Sequence, residues 1–325
     1  MDQPIPIPGE MTPDIPKPEL EEPKSSRYVW LKSLGSLAVF LVIGYIFFSR
    51  TTSNPYSALL LVIVLTVVVV FHELGHFTAM KIYKYKDLGI FFIPLLGAYV
   101  SGKKQDVSQK QSAIILLAGP VPGIFLGIIL HFISVQLDID FLEKVAWIMI
   151  FLNVLNLLPV YPLDGGQLLH RLFLDDYNIL GKIFVILSAA LMSWIAINSG
   201  FYLLLFFPFM MISRMIGDLQ HERIEKKIEG EGIDLMKSYE DLTAEEYWRI
   251  RNAVIKYYPQ FKDVNQAPPY EISPKEEQII TTIQGLLQRS LTQDLSLAGK
   301  LLILVIWIGF FLAPFIVKNP FMYLF

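Results

Sequence analysis

Residues 59–80 read LLLVIVLTVVVVFHELGHFTAM, an unbroken apolar run that leads into two histidines and a glutamate. A helix that crosses a bilayer needs about 20 mainly apolar residues, so this stretch predicts a membrane-spanning helix. The whole chain has the same character, because 54% of its 325 residues are hydrophobic and only 18% are charged. Soluble domains have about a quarter of their residues charged. The composition therefore indicates an integral membrane protein.

Six more apolar runs accompany this one, and together they predict the fold class. We expect an all-α polytopic membrane protein with about seven transmembrane helices. Basic residues concentrate in alternate connecting segments, and the opposite side holds only Arg50, Lys144 and Lys318. Because basic loops stay in the cytoplasm, this pattern predicts a cytoplasmic N-terminus. The predicted spans are residues 30–48, 57–80, 112–135, 143–163, 180–197, 200–213 and 298–317.

Polar segments divide the chain into four predicted parts. Residues 1–29 hold seven prolines and six acidic residues against three basic ones, which predicts a disordered Pro-rich cytoplasmic arm. Residues 30–213 form the membrane domain, with its core at about 57–170. Residues 214–297 form a small helical cytoplasmic segment, with helix-start signals at Thr243 and Ser273. We expect a solvated connector there, and a small helical domain is the alternative. Residues 298–325 carry the last transmembrane helix.

The letters HELGH at residues 72–76 follow the pattern H-E-x-x-H. Residues four apart share one face of a helix, so His72 and His76 are able to reach the same metal ion. Glu73 points about 100° away from His72, where it faces a water molecule held at that metal. Ionisable groups inside a span are costly unless they are paired or metal-bound. A polar cluster that joins helices is the alternative interpretation.

A third metal ligand has to come from elsewhere, since a catalytic zinc takes three protein ligands and one water. The chain has no cysteine and five histidines, so carboxylates are the remaining source. Asp164 follows the fourth predicted span, and the predicted topology places it on the same side as His72 and His76. Pro159 and Pro162 break the helix before it and direct its carboxylate inward.

The two stretches together resemble the site-2 protease family of intramembrane zinc metalloproteases, which is peptidase M50-like. That family pairs H-E-x-x-H with N-x-x-P-x-x-P-L-D-G on a later helix, and the second motif is complete at residues 156–165. The resemblance covers roughly residues 57–170 and implies a three-helix catalytic core. It implies that His72, His76 and Asp164 bind one zinc ion per chain. It also implies that Glu73 acts as general base and acid, and that Asn156 holds the substrate backbone or the oxyanion.

Two further stretches resemble parts of the same family. Residues 94–99 resemble its re-entrant β-hairpin, whose exposed edge is suited to pair with an unwound substrate strand; an ordinary cytoplasmic loop is the alternative. Ala118-Gly-Pro120 resembles a small-residue motif after which an asparagine often follows three residues beyond the proline, and Gly123 occupies that position here. The remaining histidines, His131, His170 and His221, are expected to lie away from the metal.

The resemblance implies an endopeptidase that cleaves a transmembrane segment of a single-span membrane protein, as in regulated intramembrane proteolysis. The expected partners are that substrate and the lipid bilayer, and the expected location is the plasma membrane of a prokaryote. A net charge of −3 argues against a nucleic-acid partner. A metal-ion transporter and a catalytically silent scaffold remain alternatives. A prenyl-protein protease fits less well, because no glutamate lies in a suitable later span.

Overall fold

A computed structural model describes residues 16–18, 28–52, 54–104, 107–174, 179–235, 237, 239–268, 270–287 and 293–317. Most of these residues are helical. The elements are α1 (Val29–Thr51), α2 (Pro55–Ile82), β1 (Lys86–Ile93), β2 (Gly97–Lys103), α3 (Gln109–Ala118), α4 (Pro120–Leu137), α5 (Asp140–Asn156), α6 (Asp164–Phe173), α7 (Ile179–Ser199), α8 (Phe206–Gly230), α9 (Ala244–Tyr257), α10 (Glu276–Leu287) and α11 (Leu297–Ile316).

The chain forms two compact units. The membrane unit comprises residues 23–212 and 291–325, and the inserted unit comprises residues 1–22 and 213–290. The inserted unit therefore includes part of the predicted Pro-rich arm. Of that arm, only residues 16–18 and 28–29 are among the described residues. The end of the predicted C-terminal segment, residues 318–325, lies outside them as well.

Six helical stretches in the described part of the chain are long and apolar enough to cross a membrane. They confirm the predicted all-α polytopic membrane fold. Two boundaries differ from the prediction. The sixth predicted span, 200–213, continues as helix α8 to Gly230, because nothing after Pro208 in its first turn interrupts the helix. The fourth span ends at Asn156 rather than residue 163, because Pro159 and Pro162 exclude helical backbone before them.

Chain connectivity indicates that the shorter helix α5 also crosses the membrane. Its 17 residues extend about 26 Å, slightly less than the hydrocarbon core of about 30 Å. Lys17 and Tyr239 are in contact within the inserted unit, so an even number of crossings must separate these two residues. When α5 is included, the chain crosses the membrane six times between Lys17 and Tyr239. These crossings are made by α1, α2, α3–α4, α5, α7 and α8. Helix α11 then supplies the seventh predicted span.

Helix α2 and the β-hairpin are anchored by side-chain contacts that the sequence explains. The Asn54 side chain accepts a hydrogen bond from the Tyr56 backbone N–H, and Pro55 occupies the first helical position. Strands β1 and β2 pair antiparallel, from Ile93 opposite Gly97 outward. The Phe92 backbone N–H donates to Ser36 Oγ at 3.1 Å, which ties β1 to α1. The expected hairpin is confirmed, and an ordinary loop is excluded.

The inserted unit is folded around its own hydrophobic core, which differs from the solvated connector that we expected. Helices α9 and α10 are amphipathic and turn their apolar faces toward each other, burying side chains such as Tyr247, Val254 and Ile283 completely. The predicted capping box at Thr243 is present, with reciprocal hydrogen bonds to Glu246. The sequence signals predicted where these helices begin, but they did not predict that the apolar faces of α9 and α10 pack against each other.

A buried ion pair joins α9 to α10 in this core. Arg251 donates from Nε to Glu276 Oε1 at 2.7 Å and from Nη2 to Glu276 Oε2 at 2.9 Å. Both side chains are nearly fully buried, at 1% and 6% exposed. Burial by itself raises the pKa of Glu276, but hydrogen bonds from Arg251, Tyr247 and the Ser273 backbone outweigh it and lower that pKa. The carboxylate is therefore ionised in the folded unit.

We predict that Glu276→Gln lowers the free energy of unfolding of the inserted unit by about 3 kcal/mol at neutral pH, since it leaves Arg251 buried without a counter-charge. The lowered pKa stabilises the folded state above about pH 4.3, and this contribution is lost as pH falls through the folded-state pKa. Hydrogen exchange of α9 in the full chain measures the effect. Glu277→Gln, at an exposed neighbour, is the control. Equal protection in both variants contradicts the prediction.

Candidate metal centre

Three side chains from two helices converge in the membrane unit. His72 and His76 lie on α2, and Asp164 is the first residue of α6. Asp164 Oδ2 lies 3.1 Å from His72 Nε2 and 3.3 Å from His76 Nε2, and the two Nε2 atoms are 3.0 Å apart. Both imidazoles are buried, and the Asp164 side chain is 12% exposed. Among the described residues, these three form the group with metal-ligand spacing.

Hydrogen bonds on the far side of each imidazole place a proton on its Nδ1 atom. Asn153 Nδ2 donates to the Met149 backbone oxygen at 2.7 Å, so the amide oxygen of Asn153 faces His72 Nδ1 at 2.8 Å. His72 Nδ1 is therefore the donor. His76 Nδ1 donates to the Ile115 backbone oxygen at 2.8 Å. In the neutral form of each imidazole, which is the form that binds a metal ion, Nε2 therefore presents its lone pair toward Asp164.

The resulting arrangement fits a zinc ion. With both imidazoles neutral, two nitrogen lone pairs and a carboxylate oxygen converge, and a cation bound among them relieves their mutual repulsion. Asp164 Oδ2 is buried and has no hydrogen-bond partner among the described residues. Two nitrogens and one carboxylate oxygen are a ligand set that catalytic zinc accepts, with its fourth position left open. Hydrogen bonds behind each histidine are typical of such sites.

Glu73 lies beside this group with one oxygen unused. Its side chain is 5% exposed, and Oε2 is buried without a hydrogen-bond partner in the described part of the chain. A carboxylate in this environment is strongly disfavoured unless a partner binds to it. The free oxygen is therefore available to accept a proton at the metal site.

Asn153 is the residue that the sequence analysis missed. It is fully buried on α5, three residues before the motif asparagine, and its amide contacts His72 directly. Gly123 on α4 makes room for it, because a Cβ at Gly123 would lie 2.3 Å from Asn153 Nδ2. Two features of the sequence pointed to this role of Asn153. One is an asparagine within an apolar helix, and the other is a glycine, Gly123, at the position where the family often has an asparagine. Only the packing of α4 against α5 shows that the two belong together.

The turn that presents Asp164 is held by the C-terminal helix. Trp307 Nε1 on α11 donates to the Leu157 backbone oxygen at 2.9 Å. The same oxygen packs against Gly165, where a Cβ would lie 2.1 Å from it. Because Gly165 follows Asp164 directly, Trp307 positions the start of α6 through this one carbonyl group.

The other residues considered from the sequence lie outside the converging group. Asn156 Nδ2 donates to the Leu152 backbone oxygen at 3.1 Å, so its role toward substrate stays a prediction. The remaining histidines have other neighbours, as expected. These neighbours are Glu143 and Trp147 for His131, Tyr161 and Phe184 for His170, and Tyr258 for His221.

Comparisons with known proteins agree with this site. The family model for peptidase family M50 matches residues 60–141 and 138–178, the stretch that carries both motifs. A zinc metalloprotease of Methanocaldococcus jannaschii is 31% identical over 133 residues, which is 39% of this chain and 38% of that protein. Stage IV sporulation protein FB of Bacillus subtilis is 30% identical over 112 residues, which is 34% of this chain and 38% of that protein.

The membrane core of the chain, residues 60–178, therefore matches the model of peptidase family M50. In this stretch the chain is similar to membrane zinc metalloproteases of the site-2 protease type. The matched stretch spans about two fifths of each curated relative. A solved structure, the site-2 protease from M. jannaschii, shows 26% sequence identity and a TM-score of 0.42, covering 54% of this chain and 84% of that one.

We predict that Asn153→Ala weakens zinc binding about 10- to 100-fold, because the hydrogen bond that orients His72 is lost. Gly123→Ala is expected to have a similar effect, since the added methyl group displaces the Asn153 amide. Competition with a chromophoric chelator on the purified protein measures the affinity. Asn156→Ala is the control and should bind zinc normally. Unchanged affinity in Asn153→Ala would show that the amide does not support the ligand.

A second prediction concerns Trp307. Trp307→Phe keeps an aromatic ring but removes the donor to Leu157, so the turn before Asp164 loosens. A single hydrogen bond contributes about 1 kcal/mol, and we expect zinc affinity to fall about fivefold. Trp194→Phe, at a position 62% exposed on α7, is the control. If both variants bind zinc equally well, α11 does not position the ligand.

Proposed function

We propose that this protein is a zinc endopeptidase that cleaves a transmembrane segment of another membrane protein within the bilayer. The observation that carries the proposal is the convergence of two imidazole nitrogens and a carboxylate inside a membrane unit, beside Glu73 with its Oε2 atom unpaired among the described residues. The match of residues 60–178 to peptidase family M50 supports a membrane zinc metalloprotease. The transmembrane substrate and the role in regulated intramembrane proteolysis are our proposal.

The site residues have distinct roles in this proposal. His72, His76 and Asp164 hold one zinc ion per chain, with Asn153 orienting His72. A bound zinc ion polarises a peptide carbonyl and lowers the pKa of water at the site. Glu73 accepts a proton from the attacking water and donates it to the leaving amine. Asn156 is proposed to bind the substrate backbone or the developing oxyanion.

The β-hairpin offers a way to hold an extended substrate. Peptide bonds in a helix are shielded by their own hydrogen bonds, so a transmembrane substrate must unwind before it is attacked. Strands β1 and β2 form a two-stranded sheet in the described part of the chain, which leaves each strand with one edge that has no strand partner. An unwound substrate segment is able to pair with such an edge by β-addition. We propose a single-span protein as the substrate.

The membrane helices and the charge pattern support a proposal for the location. The chain is a multi-pass integral membrane protein. We propose that its N-terminus and inserted unit lie in the cytoplasm, because basic residues concentrate in the connecting segments on that side. We propose the plasma membrane of a prokaryote as its location.

Two other functions predict different features. A metal-ion transporter needs further polar groups along a path across the membrane, and spans one, three and five provide few of them. A silent scaffold has no need for Glu73, yet this carboxylate is kept buried at an energetic cost. The unpaired glutamate therefore favours the protease.

The variant Glu73→Gln tests the proposal. It keeps the three ligands, so zinc content should stay at wild-type level, while cleavage falls by about 10²- to 10⁴-fold because the proton acceptor is lost. The measurement compares membrane proteomes of cells that carry wild type or variant. A single-span protein is expected to accumulate uncut in the variant. His72→Ala is the matched control and should lose both zinc and cleavage.

Two outcomes oppose the proposal. If Glu73→Gln cleaves at the wild-type rate, Glu73 is not the proton acceptor. If the proteome is unchanged under many growth conditions while zinc uptake by membrane vesicles changes, the transporter alternative is favoured.

A further inference from the structure

Residues 16–18, Pro-Lys-Pro, belong to the N-terminal part of the inserted unit and make specific polar contacts with its 213–290 part. Lys17 Nζ donates to three backbone oxygens, those of Tyr239 at 2.9 Å, Glu240 at 2.6 Å and Leu242 at 2.8 Å. Residues 17 and 239 are 222 positions apart in the chain. This is therefore a long-range docking contact, and a local turn does not explain it.

The three carbonyl groups form a receptor for an ammonium group. A lysine ammonium has three N–H donors and no acceptor, so three converging oxygens satisfy it completely. They converge because residues 239–242 form a turn, in which the Leu242 N–H donates to the Tyr239 oxygen at 3.3 Å. A planar guanidinium spreads its donors in a fork and does not match this arrangement. The geometry therefore selects lysine.

Tyr239 adds two further contacts. Its ring centroid lies 5.5 Å from Lys17 Nζ, which is within the range of a cation–π interaction. Its hydroxyl group donates to the Pro18 backbone oxygen at 3.0 Å. Burial, together with the carboxylates of Glu276 and Glu240, raises the pKa of Tyr239 to about 12, so the hydroxyl keeps its proton at physiological pH. One side chain thus recognises both the lysine and the residue after it.

The prolines on either side of Lys17 suit the segment to this role. Proline fixes its φ angle and has no backbone N–H that needs a partner. Proline-rich segments favour the extended polyproline II conformation, in which the backbone loses little entropy on binding. The ligand class that fits the site is therefore an extended peptide with a proline-flanked lysine.

We propose that the inserted unit carries a peptide-binding site specific for a proline-flanked lysine, and that residues 16–18 occupy this site in cis. A tethered segment acts at an effective concentration that reaches the millimolar range for short linkers. A peptide from another molecule therefore binds only when the arm is displaced. Acetylation of the lysine removes the charge and leaves a single N–H, which releases the arm.

The full chain with Lys17→Met tests the proposal, because its arm has no ammonium group and leaves the site free. The probe is a fluorescent peptide of residues 12–22, TPDIPKPELEE, and the readout is fluorescence anisotropy. We expect the peptide to bind to Lys17→Met and to bind at least about tenfold more weakly to the wild-type chain. Peptides with acetyl-lysine or Lys17→Arg at the central position should also bind at least about tenfold more weakly.

A second variant tests the contact between the Tyr239 hydroxyl group and the peptide. Adding Tyr239→Phe to the Lys17→Met chain removes the hydroxyl contact with Pro18 and should weaken peptide binding about three- to tenfold. Absence of peptide binding to Lys17→Met overturns the proposed site, and so does equal binding of the acetylated peptide. Equal binding to Lys17→Met and wild type overturns the occupancy in cis. None of these measurements depends on the zinc site or on peptidase activity.

Discussion

The membrane unit is organised around three atoms with metal-ligand spacing. His72 Nε2, His76 Nε2 and Asp164 Oδ2 lie within 3.3 Å of one another, in buried surroundings that screen their interactions little. With both imidazoles neutral, a bound cation stabilises this arrangement. The packing around the site follows from the need to hold each group in that orientation before the cation binds.

Each ligand is held from a different helix. Asn153 on α5 orients His72, the Ile115 carbonyl on α3 orients His76, and Trp307 on α11 fixes the turn before Asp164. Removing any one of these hydrogen bonds leaves the ligand residue in the chain but makes the orientation of its side chain less well defined. The unit therefore uses helices beyond the two that carry the motifs, including α11, which lies outside the stretch matched by the family model.

The sequence predicted the parts of the fold and site that depend on local patterns. Apolar length predicted the spans, and H-E-x-x-H with P-L-D-G predicted the residues that converge. The roles of Asn153 and Lys17 were not predictable, because each depends on a contact between residues far apart in the chain. The end of α5 was misplaced because apolar composition continues through Leu157 and Leu158, whereas Pro159 and Pro162 decide where the helix stops. The folded inserted unit was missed because amphipathic helices do not show which faces will meet.

X-ray absorption at the zinc edge on the purified wild-type protein tests the metal centre directly. We predict one zinc ion per chain, with two imidazole nitrogens and oxygen ligands at about 2.0–2.2 Å. The absence of imidazole scattering would contradict it, and so would zinc binding that persists unchanged when His72, His76 or Asp164 is replaced by alanine.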